Sequence, residues 1–424
     1  MSDAGIEDDV GIEDRARIGQ AGAMTAPAVQ PQSRVRSSAP TAIVIGSGST
    51  GSATAHDLAL RGVRVTVLER GEIASGTTGR NHGLLHSGAR YAVKDAQSAI
   101  ECIVERDILA RIAPEVLELN GGLFIALDES DLAYRDGFLE ACTRCEIPVR
   151  ELNPAEAREL EPALSQRILA AIEVPDGVFD PLHLCLAFLA TAHANGATIL
   201  PFTEVEDLVV RGAAVEGVVI RDRRTGVRRT LEADIVVNAT GPWAGQIAAM
   251  AGLDVPVVPT PGVMVAVAGR FVDRVINRLN KPSDGDIVLP QRRAVVIGTS
   301  SWQVEDPDHV EIPPEHVDLM FERGGELVPG VRGKPARAVF AASRPLIGRP
   351  GDASGGRELS RTFECFDHAK EGVGGFVTIS GGKTTTARAM AEKTTDVVCA
   401  HLGIGAESQT ARVPLRSYRD FYHA

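Results

Sequence analysis

The feature that most constrains this chain is a single run near its start: Thr41-Ala-Ile-Val-Ile45, then Gly46-Ser-Gly48-Ser-Thr-Gly51, then Val63-Arg-Val-Thr-Val-Leu68-Glu69. A short apolar run ending in glycine suits a buried parallel strand. A helix is expected from about Thr50, with Ala53, Ala55, Leu58 and Leu60 on it, stopping at Arg61-Gly62. The second apolar run then closes a complete βαβ unit. In the turn, Gly46 permits the tight reversal, Gly48 lets backbone approach a pyrophosphate, and Gly51 allows close packing of helix on strand. The helix N-terminus faces the anion. Glu69, ending the second strand, supplies the carboxylate expected on a ribose about 20 residues after the turn. An acidic residue there disfavours a 2′-phosphate and hence NADP, but the turn alone does not separate FAD from NAD.

At 424 residues the chain is long for one compact lobe, so two are expected. Residues 1–40 are rich in Ala, Gly, Ser, Pro and Asp without periodicity and read as a flexible extension. Helical spacing over Ala96 to Ala113 leads to Gly122–Leu127, which looks like a strand of a different sheet. Pro181 to Asn195 predicts an amphipathic helix stopped by Asn195-Gly196, followed by a strand at Thr198–Pro201. Hairpin-like segments over Glu206–Ile220 and Val227–Leu231 precede another buried strand at Ala233–Gly241. Pro256 to Arg344 reads as mostly β with polar loops. The chain returns with a strand at Gly375–Ile379, the pair Gly381-Gly382, and a helix from about Thr384 to Leu402.

The net charge of −12 argues against nucleic acid as a partner, because that binding depends on cations neutralising phosphates. No apolar run reaches the roughly 20 residues that span a bilayer, and no basic-then-apolar leader opens the chain. Membrane contact is therefore expected to be peripheral at most. Six cysteines without a dense framework point to reduced thiols in the cytoplasm, the Cys142-Thr-Arg-Cys145 pair being read as a chance occurrence on a surface helix rather than a metal site. No metal is expected.

Three further segments carry a family likeness: Gly76-Thr-Thr-Gly-Arg-Asn-His-Gly-Leu-Leu-His-Ser-Gly-Ala-Arg-Tyr91, Val236-Val-Asn-Ala-Thr-Gly-Pro-Trp-Ala244 and Gly381-Gly-Lys-Thr384. With Lys281-Pro-Ser-Asp284, Gly298-Thr-Ser300, Arg344-Pro-Leu346 and Leu359-Ser-Arg361, they resemble the D-amino-acid-oxidase-like flavoprotein superfamily. More narrowly the chain resembles FAD-dependent glycerol-3-phosphate dehydrogenases, especially the catalytic subunit of the bacterial anaerobic enzymes. The resemblance implies an α/β protein with an α+β second lobe. One part is a Rossmann-like FAD-binding domain of the glutathione-reductase type (41–107, 179–256 and 346–405). The other is a mixed-sheet substrate domain (108–178 and 257–345), with a C-terminal tail from 406 to 424. It implies oxidation of sn-glycerol 3-phosphate to dihydroxyacetone phosphate, with electrons passed to quinone or a carrier protein.

The same resemblance assigns to FAD the residues Gly46, Ser47, Gly48, Thr50, Gly51, Glu69, Arg70, Thr77, Thr78, Asn81, His82, Gly83, Val205, Gly241, Trp243, Gly382, Lys383 and Thr384. Substrate falls to Arg90, Tyr91, Arg344 and Arg361, since guanidinium forks suit a bidentate oxyanion. Catalytic roles fall to His86, as base or hydroxyl-orienting group, with Arg344 and Lys383, whose cation at a helix start would stabilise charge on the reduced cofactor. Three stretches depart from the family pattern: Thr384-Thr-Thr-Ala387-Arg388 lacks an aromatic, Pro261-Gly-Val-Met264 replaces a Lys-Gly-Ser(-His) run, and Ala342-Ser-Arg-Pro345 replaces Gly-Val-Arg-Pro. The anaerobic enzymes continue beyond the point near residue 405 where the likeness stops, which leaves transfer to a companion iron–sulfur protein open. These changes keep an amine or 2-hydroxy-acid oxidoreductase of the same fold in view, and a non-catalytic FAD-binding protein more distantly.

Overall fold

The computed structural model describes residues 39–349 and 362–423. Arg361 and the 1–38 part of the expected extension lie outside them. The opening run folds as its pattern requires. Strand Thr41–Ile45, helix Ser49–Leu60 and strand Arg64–Leu68 form the βαβ unit, the two strands pairing in parallel. They sit in a six-stranded sheet in the order Phe363–Asp367, Phe376–Gly381, Ile235–Asn238, Thr41–Ile45, Arg64–Leu68, Thr198–Leu200. All pairings are parallel except that of Phe363–Asp367, which is antiparallel at one edge.

Alternation along the central strand explains the layers. Ala42 and Val44 pack in a core with Ala55 and Leu58 of the first helix and with Leu186, Leu189 and Val398 of helices Pro181–Ala194 and Ala387–Leu402. Ile43 and Ile45 face the other way, against Val205, Leu208, Val218 and Ile220. Those residues belong to an antiparallel meander, Thr203–Arg211, Ala214–Asp222 and Arg228–Glu232. Both faces are dry, so the strand reads as a continuous apolar run.

A second sheet of eight strands runs in the order Ala336–Ile347, Val257–Ala268, Ala294–Gly298, Ile287–Gln291, Val275–Arg278, Gly122–Ala126, Ala170–Val174, Arg150–Leu152. It is mixed, as expected: Val275–Arg278 runs parallel to Gly122–Ala126 and every other pairing is antiparallel. Along Val257–Ala268, Val263, Val265 and Val267 enter one core with Ile276 and Ile297, while Met264 enters the opposite one with Leu289 and Val296.

Pattern reading missed a helix in the Pro256–Arg344 stretch. Pro314–Leu327 is helical and rests on this sheet through Met320 and Leu327. Its Gly324-Gly325 pair reads as a loop signal, yet a Cβ on Gly324 would lie 2.7 Å from Ile297. Those glycines let the helix seat closely. The Cys142/Cys145 pair stands at the end of helix Glu129–Arg144, most of whose residues are not buried. Both thiols are buried and free, in the core beneath helix Glu129–Arg144, rather than on a surface. Residues 406–423, read as a tail, dock on the nucleotide layer: Tyr418 stacks on His183 at 3.7 Å and Leu415 N–H donates to Ile112 O at 2.7 Å.

Candidate active site

The glycine turn is under real steric compulsion. Gly46 holds φ at +100°, and a Cβ there would stand 2.7 Å from Ala239 O. A Cβ on Gly51 would meet Gly46 O at 2.0 Å, so no larger residue can sit at this helix–strand contact without displacement. Gly48 is less crowded, its nearest neighbour being Thr78 Oγ1 at 3.1 Å. The Glu69 carboxylate accepts from Ser47 N–H at 3.0 Å, Ser47 Oγ–H at 2.9 Å and Gly71 N–H at 2.9 Å. A carboxylate has about four acceptor positions, so it retains capacity for a ribose hydroxyl.

From this turn a cavity of about 1430 Å³ extends to the underside of the eight-stranded sheet. Single-ligand pockets hold about 300–1000 Å³, so this one has room for a long cofactor and a small substrate together. Gly46, Gly48, Thr50, Glu69, Arg70, Thr77, Thr78, Asn81, His82, Val205, Gly241, Trp243, Gly382, Lys383 and Thr384 line it, as do His86, Arg90, Tyr91 and Arg344. Three expected cofactor residues do not. Ser47 is buried behind Glu69, Gly51 is the packing glycine, and Gly83 is hemmed in by Gln291 and Phe179 O. Arg70 turns partly outward, pairing with both Asp308 oxygens at 3.1 and 2.5 Å while its guanidinium lies 4.3 Å over Trp243. The indole Nε1 of Trp243 is a buried donor without an acceptor, facing a need that a polar ligand would meet.

On the far side of the cavity the 86–91 loop is pinned by Gly88, where a Cβ would stand 2.2 Å from Ala99 O. His86 Nε2 lies 3.4 Å from Tyr91 Oη, and Lys383 Nζ sits 4.9 Å over the Tyr91 ring. The His82 and His86 rings are 6.2 Å apart. His82 Nδ1 accepts from Leu84 N–H at 3.1 Å, so a neutral His82 carries its proton on Nε2. Burial, with help from Arg344 and Arg90, lowers its pKa to about 3. Near neutral pH this imidazole is therefore a fixed donor. Gly381 and Gly382 hold φ at +85° and +68°, and Lys383 follows them at the start of the short Thr384–Thr386 turn and helix Ala387–Leu402.

Arg344 lines the cavity, yet its fork is engaged by the roof. Nη1 donates to Thr260 O and Pro261 O at 3.3 Å, and Nη2 donates to Ser300 O at 3.2 Å and to Thr299 Oγ1. Gly262 leaves it space, since a Cβ there would lie 2.5 Å from Nη2. Pro261-Gly-Val-Met264, the departure noted from sequence, is thus the strand that holds this arginine.

Sequence reasoning overlooked two buried carboxylates. Asp286 pairs with Arg90 Nη2 at 2.5 Å. Asp176 accepts from Ser87 N–H at 2.8 Å and from Asn277 Nδ2 at 3.4 Å, and burial raises its pKa. Neither stands in a recognisable motif, although Asp286 follows the Lys281–Asp284 run by two residues. Among the described residues no group of His, Cys, Asp and Glu is placed to hold a metal.

The glycine cradle, the Glu69 carboxylate beside it, the cavity volume and the buried indole donor all fit a flavin dinucleotide. Comparison with known proteins agrees: the family profile described as FAD dependent oxidoreductase matches residues 41–396, and the chain belongs to that family. FAD is its cofactor. Within the family, it is 44% identical over 393 residues to the A1 subunit of anaerobic glycerol-3-phosphate dehydrogenase from Haloferax volcanii, the match covering 90% of this chain and 67% of that one. It is 43% identical over 376 residues to the corresponding anaerobic glycerol-3-phosphate dehydrogenase subunit of Escherichia coli K12, with 88% and 69% covered. Among solved structures, glycerol-3-phosphate dehydrogenase from Bacillus halodurans complexed with FAD superposes with a TM-score of 0.70 at 25% identity, covering 91% of this chain and 70% of that one. Glycine oxidase from Bacillus cereus shares the fold, with a TM-score of 0.67 at 23% identity and 87% and 99% covered.

Proposed function

We propose that this chain oxidises sn-glycerol 3-phosphate to dihydroxyacetone phosphate. The observation that carries the reading is the placement of Arg90, Arg344, Lys383 and His86 around one end of a cavity whose other end is the glycine cradle. Bound FAD supplies the two-electron acceptor. The protein must then hold a dianionic substrate, orient one carbinol, and move its hydroxyl proton.

Three cations in one partly dry space meet the first need, where charge attraction is stronger than in water. Arg344, immobilised by roof carbonyls, contributes a fixed positive potential, while Arg90 offers the donor Nη1. His86, beside Tyr91 Oη, is the group to accept the hydroxyl proton, and Tyr91 orients it. His82 donates from Nε2 throughout and takes no proton in turnover. Lys383, over the Tyr91 ring, places positive charge where electron density accumulates. Arg361 remains a proposed substrate ligand.

Electrons leave to a quinone or a carrier protein. We place the protein in the cytoplasm or peripherally on the inner face of the cell membrane, the setting that suits its six unpaired cysteines; among the described residues no helix is long and apolar enough to cross a membrane. Anaerobic mixing with sn-glycerol 3-phosphate should bleach the flavin absorbance in one turnover. A flavin that stays oxidised with this substrate but is reduced by an amino acid or 2-hydroxy acid would replace the reading.

A further inference from the structure

The direct partner of Arg90 is a buried acid. Its side chain is 10% exposed and that of Asp286 is 2% exposed, with Nη2 and Oδ1 2.5 Å apart. The second oxygen of Asp286 accepts from Ser283 N–H at 2.7 Å. Arg90 Nη2 also reaches Ser283 O at 3.5 Å. Ser283 belongs to the 281–284 segment that lines the cavity. One carboxylate therefore ties together a cation on the 86–91 loop and a wall segment about 190 residues away in the chain, which no local hydrogen bond could do. The opposite side of the guanidinium is incomplete: Arg90 Nη1 is buried without an acceptor. A buried charged donor lacking a partner is costly, and Arg90 is one of the residues that line the cavity.

We propose that Asp286 is a positioning residue that acts through Arg90, orienting its guanidinium so that Nη1 meets the phosphate of the substrate. The proposal rests on the reading of Arg90 as a phosphate ligand. Asp286 itself touches neither substrate nor cofactor. Its charge also offsets that of Arg90, so the pair can stay desolvated before substrate arrives.

The test uses the FAD-loaded full chain and two probes, sn-glycerol 3-phosphate in steady-state assays and inorganic phosphate in calorimetric titration. Asp286→Asn keeps an acceptor for Ser283 N–H but removes the charge. It should raise both KM and the phosphate dissociation constant about tenfold or more, with kcat falling much less, as expected for a lost orienting contact. Asp286→Glu should recover part of the loss. Arg90→Ala should be at least as impaired, and the double variant no worse than Arg90→Ala alone, because the effect passes through one guanidinium. Losses that add in the double variant, or wild-type phosphate affinity in Asp286→Asn, would overturn the proposal. Should Asp286→Asn fail to load FAD, the comparison of Arg90→Met with Arg90→Met/Asp286→Leu decides the same point, the double variant carrying neither buried charge: phosphate affinity in the double variant equal to or tighter than in Arg90→Met supports it, and weaker binding by the double variant overturns it. If sn-glycerol 3-phosphate fails to reduce the wild-type flavin, the substrate reading falls, while the phosphate titrations still decide the role of Asp286. Absence of phosphate binding in the wild type would overturn the role given to Asp286, while flavin reduction alone decides the substrate.

Discussion

Two of the glycines in the nucleotide turn should fail in different ways when given a methyl group, and the difference tests the division of labour inferred from geometry. At Gly51 the new Cβ would lie 2.0 Å from Gly46 O and 3.0 Å from Gly46 C. Non-bonded carbon contacts sit at about 3.5–4 Å, so helix Ser49–Leu60 would have to retreat by more than about 1 Å. Overpacking of this kind costs about 1–3 kcal/mol, and a contact this short belongs at the upper end. That strain exists with or without cofactor, so Gly51→Ala should lower the unfolding free energy of the apoprotein by about 3 kcal/mol. At Gly48 the nearest atom is a hydroxyl at 3.1 Å, which a small shift of Thr78 relieves. The methyl group would instead project where Gly48 lines the cavity. Gly48→Ala should therefore leave apoprotein stability within about 0.5 kcal/mol and weaken FAD about 5- to 150-fold, the equivalent of about 1–3 kcal/mol. Urea unfolding of the deflavinated chains and fluorescence titration with FAD measure the two quantities. An apoprotein undisturbed by Gly51→Ala, or wild-type FAD affinity in Gly48→Ala, would refute the reasoning.

Three further outcomes are expected. Arg344→Ala removes a charge and the donors that reach the carbonyls of Thr260, Pro261 and Ser300, and should cut kcat/KM about 10- to 150-fold with FAD retained; unchanged kinetics would remove Arg344 from the site. His82, with its pKa lowered to about 3, stays neutral in any ordinary assay, so His82→Ala should scale the pH–rate profile without moving an inflection. An inflection between about pH 6 and 7 that vanishes in the variant would contradict this. His56 is buried with both ring nitrogens unpartnered, and burial lowers its pKa to about 4. Its folded pKa lies below its unfolded one, so stability is present above about pH 6.5 and is lost as pH falls towards 4, by about 2 kcal/mol at pH 5. His56→Leu should flatten that part of the stability–pH curve; a variant with the wild-type slope would show that His56 is not its source.

The fold was legible where short-range patterns coincide with long-range need. Ile43 and Val44 read as a buried strand because both faces of that strand are covered, and the turn after it can be built only with glycine. Helix Pro314–Leu327 was missed because Gly324 and Gly325 weigh against a helix in isolation. The advantage of Gly324 exists only against Ile297, on a strand that local spacing cannot bring near. The docking of the C-terminal tail could not be read for the same reason, its anchors being Ile112, Thr191 and His183.

The site divides along the same line. Residues that act through backbone geometry, Gly46 and Gly48, or through a motif at fixed spacing, Glu69, could be found in the sequence. The cations could be named but not their state. Arg344 and Arg90 look equivalent as letters, yet one is held by neutral carbonyls and the other by a buried carboxylate. That distinction has consequences for charge. Carbonyl dipoles hold a guanidinium in place without cancelling its charge, whereas Arg90, paired with Asp286, is largely neutralised until its Nη1 meets an anion. The first suits long-range attraction of a dianion and the second suits recognition at contact. A phosphorylated substrate would be drawn in by Arg344 and Lys383 and fixed by Arg90, so Arg344→Ala should flatten the dependence of kcat/KM on ionic strength more than Arg90→Ala does; equal slopes in the two variants would refute the division of roles.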